Sequence, residues 1–172
     1  SSSAWTPIEW CDRDRWYIPD IKANDPSFAD IVDRMTAHAR DMVLHMHPRH
    51  TYIIQSALKS APKNRKQDYH RDYNVDCAPH EMPLSVIITF RDQCVFWYKD
   101  IFSGREVRLV VPPFSFVRFM GNVSHCGGSN PSATSCAYRL FMYCAASPAH
   151  IPINAFHLDS KREKANKIKA KK

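Results

Sequence analysis

The seven residues Leu84-Ser85-Val86-Ile87-Ile88-Thr89-Phe90 form the most apolar short run of this 172-residue chain. The run is rich in β-branched residues, which favour strands, and its near-continuous apolar character indicates a strand buried on both faces. On either side the chain offers further short strand candidates. They are predicted at Tyr52–Leu58, Tyr69–Tyr73, Val95–Lys99, Glu106–Val111, Phe114–Met120 and Ala137–Ala145. Short strands at this spacing predict a β-sandwich or barrel.

Two of these strands are predicted to pair as a hairpin. Val95–Lys99 and Glu106–Val111 flank Ser103-Gly104, a dipeptide typical of a turn. Pro112-Pro113 then ends the second strand, because proline cannot donate to a strand ladder.

The only long helical pattern precedes the strands. Asp25 and Pro26 have the character of a helix cap and first turn, and Pro48 ends the run. Between them the apolar residues recur at helical spacing and form one stripe. The helix should therefore lie on one sheet, and its methionines should belong to the core. The residues of the stripe are Phe28, Ile31, Val32, Met35, Ala39, Met42, Val43 and Met46.

We therefore predict one mainly β domain with an N-terminal helix, of α+β class, over residues 1–160. Residues 1–48 would form an irregular segment and the helix, and residues 49–146 the β core. The irregular segment contains four aromatic residues that are expected to anchor it by packing: Trp5, Trp10, Trp16 and Tyr17.

The net charge of +7 is concentrated at one end of the chain. Residues 161–172 contain seven Lys or Arg and one Glu, which leaves 17 basic and 16 acidic residues elsewhere. The basic character therefore belongs to the tail and gives no support for a nucleic-acid-binding core. The tail itself is interpreted as a solvated end, with a polyanion contact or a nuclear address as the alternative.

The cysteines and the apolar runs bear on the compartment. None of the six cysteines forms a Cys-x-x-Cys pair, and the N-terminal residues lack the features of a signal peptide. We therefore expect free thiols in an intracellular, cytoplasmic or nuclear protein, while a disulfide framework stays open. No run approaches the roughly 20 apolar residues of a membrane span, so no membrane partner is expected.

The segment Tyr69-His70-Arg71-Asp72-Tyr73 contains the residues with the clearest chemical potential. Side chains alternate along a strand, so His70 and Asp72 should point to the same side. An imidazole and a carboxylate are two of the three ligands in the two-His-one-carboxylate site of non-haem iron(II) oxygenases. His125, which precedes Gly127-Gly128, is the candidate for the third ligand. Alone, it would be interpreted as a loop histidine bonded to backbone.

Arg139 lies inside the apolar stretch Tyr138–Tyr143, 14 positions after His125. An inward-facing arginine among apolar neighbours needs an anionic partner, which a bound dicarboxylate could supply through two parallel hydrogen bonds. An outward-facing arginine on a solvated strand face is the alternative.

The order His-x-Asp, distal His, Arg resembles that of the 2-oxoglutarate- and iron(II)-dependent dioxygenases. The stretch from Val110 to Gly128 (VVPPFSFVRFMGNVSHCGG) resembles the approach of that family to its distal histidine, and the resemblance covers about residues 50–146. It implies a double-stranded β-helix (jelly-roll, cupin-like) core, with iron bound by His70, Asp72 and His125. Arg139 would bind the distal carboxylate of 2-oxoglutarate. Phe114 departs from the pattern, since many members have glycine there.

Other polar residues near these positions have weaker patterns. Tyr52 and Gln55, on the strand before His70, are further candidates for a 2-oxoglutarate contact, and Tyr73 and Asn74 for the mouth of the site. Three histidines near the end of the helix have poor spacing for one metal and are interpreted as surface or capping residues: His45, His47 and His50.

The resemblance implies an enzyme that uses dioxygen and 2-oxoglutarate to hydroxylate or demethylate a substrate, releasing succinate and carbon dioxide. The expected substrate is a protein side chain or a small molecule. The alternatives are a nucleic-acid base demethylase, for which the basic loop with Lys59, Lys63, Arg65 and Lys66 and the tail would contact phosphates, a cupin-type metal enzyme that is not an oxygenase, and a non-catalytic binding module.

Overall fold

The fold was analysed in a computed structural model, which describes residues 6–7, 15–18, 22, 26–62, 66–73, 77–128, 134 and 136–150. The tail 161–172, Trp5, Trp10, Asn74, and the loop residues Lys63 and Arg65 lie outside the described residues.

The helical prediction is confirmed. A 3-10 turn, Pro26–Phe28, leads into helix α1, Ala29–Met46. Phe28, Val32, Ala39 and Val43 are buried on its apolar stripe. The helix ends where the His47 backbone N–H donates to the Val43 carbonyl at 2.7 Å, and Pro48 follows directly.

Nine strands follow the predicted pattern closely in the central part of the chain. They are β1 Thr6–Pro7, β2 Arg15–Ile18, β3 Tyr52–Ser60, β4 Leu84–Thr89, β5 Cys94–Lys99, β6 Glu106–Val111, β7 Phe116–Met120, β8 His125–Gly127 and β9 Ala137–Ala145, counting described residues only. They form a six-stranded sheet in the order β1-β2-β3-β9-β4-β7 and a three-stranded sheet in the order β6-β5-β8. Every strand pairing in these two sheets is antiparallel.

The segment 67–70 extends the smaller sheet at its β8 edge, where His70 and His125 form a two-residue antiparallel bridge. If this edge segment is counted as a strand, the eight strands from β3 to β9 fall into two four-stranded sheets. Their orders by chain position are 1-8-3-6 and 2-7-4-5. This is the arrangement of a jelly roll, or double-stranded β-helix, so the predicted fold class is confirmed.

Strand β4 shows why the LSVIITF run is apolar at nearly every position. Val86 and Ile88 pack in the core cluster that includes α1, whereas Ile87 packs between the two sheets with Phe96 and Val111. The larger sheet is therefore covered by α1 on one face and by the smaller sheet on the other.

Three local predictions were wrong. Tyr69–Tyr73 is not a strand, because only His70 makes a bridge there. Strand β7 begins at Phe116, because Phe114 has a φ of 53°, a left-handed conformation incompatible with a strand. His50 is not at the surface: it is 1% exposed, and its Nε2 lies 2.9 Å from the Met82 carbonyl oxygen.

No described helix is both long enough and apolar enough to span a bilayer.

Candidate metal centre

Three side chains converge between the two sheets. His70 lies on the edge segment, Asp72 follows it, and His125 opens β8 directly opposite His70. Their nearest ligand atoms all lie within 4.8 Å of one another. Asp72 Oδ1 is 3.6 Å from His125 Nε2 and 3.9 Å from His70 Nε2.

Backbone pairing brings these residues together across 55 positions of sequence. The N–H of His70 donates to the His125 carbonyl, and the N–H of His125 donates to the His70 carbonyl, both at 2.9 Å. The N–H groups of Asp72 and Tyr73 both donate to the Gly121 carbonyl at 3.1 Å. A Cβ at position 121 would overlap the Tyr73 ring, so glycine is required at this close approach.

The outer nitrogen of each imidazole points to a backbone carbonyl. His125 Nδ1 lies 2.8 Å from the Val123 oxygen, and His70 Nδ1 lies 3.3 Å from the Asp68 oxygen. Such a bond sets the tautomer, because the nitrogen that donates carries the proton and leaves Nε2 with a free lone pair. In both residues that free Nε2 is the atom nearest Asp72.

The carboxylate of Asp72 is held by Ser85 of strand β4. Ser85 Oγ donates to Asp72 Oδ2 at 2.5 Å, and Ser85 itself is fully buried. The other carboxylate oxygen, Oδ1, is left facing the two imidazoles. Ser85 therefore orients the carboxylate as a one-oxygen ligand, a role that the sequence reasoning did not assign.

Aromatic rings enclose His125, whereas His70 reaches solvent. Phe96 stacks on the His125 ring at 5.4 Å between centroids, and Phe119 meets it edge-on at 4.7 Å. The His125 side chain is 3% exposed and that of His70 is 36% exposed. Burial lowers the pKa of His125, His70 lowers it further, and Asp72 acts in the opposite direction. The neutral imidazole, which is the form that binds metals, is favoured as a result.

The donor set fits a divalent first-row metal. Two donors that each lie about 2.1 Å from one ion can be no more than roughly 4.2 Å apart. The measured separations of 3.6 and 3.9 Å from Asp72 Oδ1 satisfy this limit. Two imidazoles and one carboxylate match the ligand set of non-haem iron(II) sites.

Arg139 lies on β9 and points between the sheets. It is 6% exposed, and Phe141, on the same face of β9, belongs to the core between the sheets. Its NH1 donates to Cys94 Sγ at 2.8 Å and its NH2 donates to Ser60 Oγ at 3.0 Å. Among the residues that the structure describes, no carboxylate forms an ion pair with it.

The guanidinium is close to the metal-ligand strand. A Cβ at Gly127, two positions after His125, would lie 3.4 Å from Arg139 NH2. A pocket open to solvent lies beside Arg139 and is lined in part by Ser60, Asp92, Cys94 and Gly128. Burial raises the pKa of Asp92, which favours its neutral form in this pocket.

The other predicted contacts lie in different places. Gln55 pairs with Met142 on the face of the larger sheet that α1 covers, so it points away from the three ligands. Tyr52 lies on the opposite face, where β3 begins, and is 46% exposed. Tyr73 is 3% exposed with a buried hydroxyl that has no hydrogen-bond partner, so it is an interior residue rather than part of an open mouth.

Comparison with known proteins adds only fold similarity. No family model matches the chain, and no curated protein matches it. Three solved structures with similar folds were compared with it. Peruvianin-I, a cysteine peptidase from Thevetia peruviana latex, has 8% identity and a TM-score of 0.44, over 56% of this chain and 52% of that chain. Oxalate oxidase in complex with glycolate has 11% identity and a TM-score of 0.43, over 56% and 43%.

The third, the cupin domain of Drosophila melanogaster CENP-C, has 11% identity and a TM-score of 0.39, over 51% and 57%. The chain thus covers only about half the length of these structures. At such identities no functional residue is transferred to this chain.

Proposed function

We propose that this chain is an iron(II)- and 2-oxoglutarate-dependent dioxygenase, with His70, Asp72 and His125 as the iron ligands. The donor set supports iron, because it combines two neutral imidazoles with one carboxylate oxygen and leaves other coordination positions free. Bound iron would supply the activation of dioxygen that converts 2-oxoglutarate to succinate and carbon dioxide while the substrate is oxidised.

The observation that carries the proposal is the buried arginine beside these ligands. A cation that is 6% exposed and has no described carboxylate partner is costly to bury, unless an anion binds to it. The distal carboxylate of 2-oxoglutarate would accept hydrogen bonds from the guanidinium, and the Ser60 hydroxyl would lie within the same group of donors.

The remaining residues of the chain position the reaction. Ser85 and the backbone carbonyls of Val123 and Asp68 orient the ligands, while Phe96 and Phe119 exclude water from the His125 side. The exposed edge of His70 leaves the substrate a route from solvent. We propose a protein side chain or a small molecule as the substrate.

The test begins without oxygen. Protein mixed anaerobically with iron(II) and 2-oxoglutarate should develop a visible charge-transfer absorption band, and exposure to air should release succinate. Asp72→Ala should lose iron. Arg139→Ala should retain iron but bind 2-oxoglutarate about 10–100-fold more weakly, because a charged bidentate contact is lost. The absence of both the band and succinate from the wild type, across a substrate panel, would refute the proposal.

Arg118→Ala is the matched arginine control. Its NH1 contacts Met46 Sδ at 3.0 Å and His47 Nε2 at 3.1 Å, at the end of α1. Loss of 2-oxoglutarate binding in this variant would mean that the effect of Arg139→Ala is not local.

A second candidate is a metal-dependent enzyme of this fold that uses no 2-oxoglutarate. The contacts of Arg139 with Cys94 and Ser60 favour it, because they satisfy two guanidinium N–H groups without a ligand. Calorimetric titration of the metal-loaded protein with 2-oxoglutarate separates the two candidates, since only the first predicts saturable binding that depends on Arg139.

A further inference from the structure

Cys94 opens strand β5 and is the thiol nearest to Arg139. Its Sγ accepts the 2.8 Å hydrogen bond from Arg139 NH1 and lies 3.6 Å from the Val95 carbonyl oxygen. Cys94 is 7% exposed, but it lines the solvent-open pocket beside the guanidinium. Cys126 and Cys144, by contrast, are completely buried. A small reagent therefore has a route to Cys94 that it lacks to these two thiols.

The surroundings of Cys94 are electropositive at the point of access. Arg139 is buried without an ion-pair partner in the described part of the chain, so its charge acts on the pocket without neutralisation. Asp92 also lines the pocket, but burial favours its neutral form. Cysteines beside a guanidinium with solvent access are the ones that oxidants modify selectively.

We propose that Cys94 is a peroxide-sensitive thiol, and that its oxidised form supplies the anion that Arg139 lacks. The oxidised side chain then occupies the place of an incoming carboxylate and reversibly closes the site to dicarboxylates. The identity of the excluded anion as 2-oxoglutarate rests on the proposed function; the reactivity of the thiol does not.

The chemical step needs one hydrogen peroxide per thiol. The sulfur of Cys94 attacks one peroxide oxygen, so that an S–O bond forms and the O–O bond breaks. Sulfur loses two electrons, and the leaving hydroxide takes the thiol proton and departs as water. The product is a sulfenic acid, whose oxygen beside the guanidinium is stabilised as the anion and which a dithiol reductant returns to the thiol.

The experiment uses the full chain loaded with zinc(II), which has no redox chemistry with peroxide. The protein is treated with hydrogen peroxide, the sulfenic acid is trapped with dimedone, and the adducts are located by mass spectrometry. We expect an adduct on Cys94 and none on Cys126 or Cys144. Prior addition of 2-oxoglutarate should slow formation of the Cys94 adduct about tenfold, because the ligand covers the sulfur.

Binding of 2-oxoglutarate is measured before and after peroxide in the same preparation, without dimedone. Oxidation should raise Kd about tenfold or more, and a dithiol reductant should restore it. In Cys94→Ser, the ratio of Kd after and before peroxide should be one, whatever its starting value.

Arg139→Gln tests the role of the guanidinium without any need for 2-oxoglutarate. The Cys94 adduct should form about tenfold more slowly in this variant, while the adduct on the partly exposed Cys77 serves as the internal reference. An unmodified Cys94 under conditions that label Cys77 overturns the inference, and so does an oxidised Cys94 with unchanged Kd.

A failure of the proposed function gives a different result. If untreated protein binds no 2-oxoglutarate, the dioxygenase proposal is lost. The Arg139 dependence of the Cys94 rate then decides the inference alone: a slower rate in Arg139→Gln supports it, and an equal rate overturns it.

Discussion

Removal of the Ser85 hydroxyl should weaken metal binding without altering the three ligands. Ser85 is fully buried and donates to Asp72 Oδ2 at 2.5 Å, and the Asp72 side chain is 8% exposed. In Ser85→Ala, water has little access to replace this bond. A hydrogen bond to a charged group contributes about 1.5–3 kcal/mol, which corresponds to a loss of roughly 10–100-fold in metal affinity.

The assay is an equilibrium competition for iron(II) or zinc(II) between the protein and a chelating dye. Thr89→Val provides the matched control, because Thr89 is the other fully buried hydroxyl residue of β4 and valine has nearly the same shape. Its Oγ1 lies 2.6 Å from the Pro112 carbonyl oxygen and 3.0 Å from that of Ser115, so it makes no contact with Asp72. Thr89→Val should lower the free energy of unfolding but leave metal affinity unchanged.

Two results would refute this reasoning. Ser85→Ala may not match the wild type within twofold in metal affinity, or Asp72 is oriented without the hydroxyl. Equal losses of metal affinity in Ser85→Ala and Thr89→Val would instead show a general effect of strand β4 on the fold.

Three further predictions concern the surroundings of the site. Gly121→Ala should destabilise the fold by about 1–3 kcal/mol and reduce metal retention, because the new Cβ displaces the Tyr73 ring; urea unfolding and metal analysis check this, and an unaltered variant contradicts it. In metal-free protein, the lowered pKa of His125 means that the unfolded chain binds more protons below the ordinary value of 6.5, so stability should fall as pH decreases through that range. Urea melts at about pH 7.5 and 5.5 measure this loss, and His125→Gln should flatten it; an equal slope in the variant counts against the assignment. Burial raises the pKa of Cys144 to about 12, so iodoacetamide at about pH 8 should modify Cys77 and spare Cys144 until the chain is unfolded; native modification of Cys144 would disprove its burial.

The fold could be predicted where local pattern and tertiary context agree. The apolar stripe of α1, the β-branched run of β4 and the turn at Gly104 each follow from residue type, and Gly104 has the positive φ of 67° that a turn residue often needs. Strand β8 was missed, because His125-Cys126-Gly127 has no alternating pattern and is followed by a second glycine. Its extended form depends on pairing with β5 and with the edge segment.

The supporting residues of the site were harder to find than the ligands. His70 and Asp72 have a spacing that suggests a shared ligand role, whereas nothing local links Ser85 to Asp72 or Cys94 to Arg139. One signal was available: a serine inside an otherwise apolar buried strand requires a hydrogen-bond partner. The identity of that partner depends on how the two sheets pack, which local pattern does not specify.

The pairing of His70 with His125 has a consequence for folding. An ion bound to both imidazoles would act as a removable cross-link between residues 55 positions apart. By the loop-entropy relation used for covalent cross-links, closing a loop of this length restricts the unfolded chain by an amount equivalent to about 4 kcal/mol. Only one pair of backbone hydrogen bonds spans the sheet at His70 itself. Chelation should therefore make the edge segment the first part of the smaller sheet to exchange its amide hydrogens, and reloading the metal should close it again.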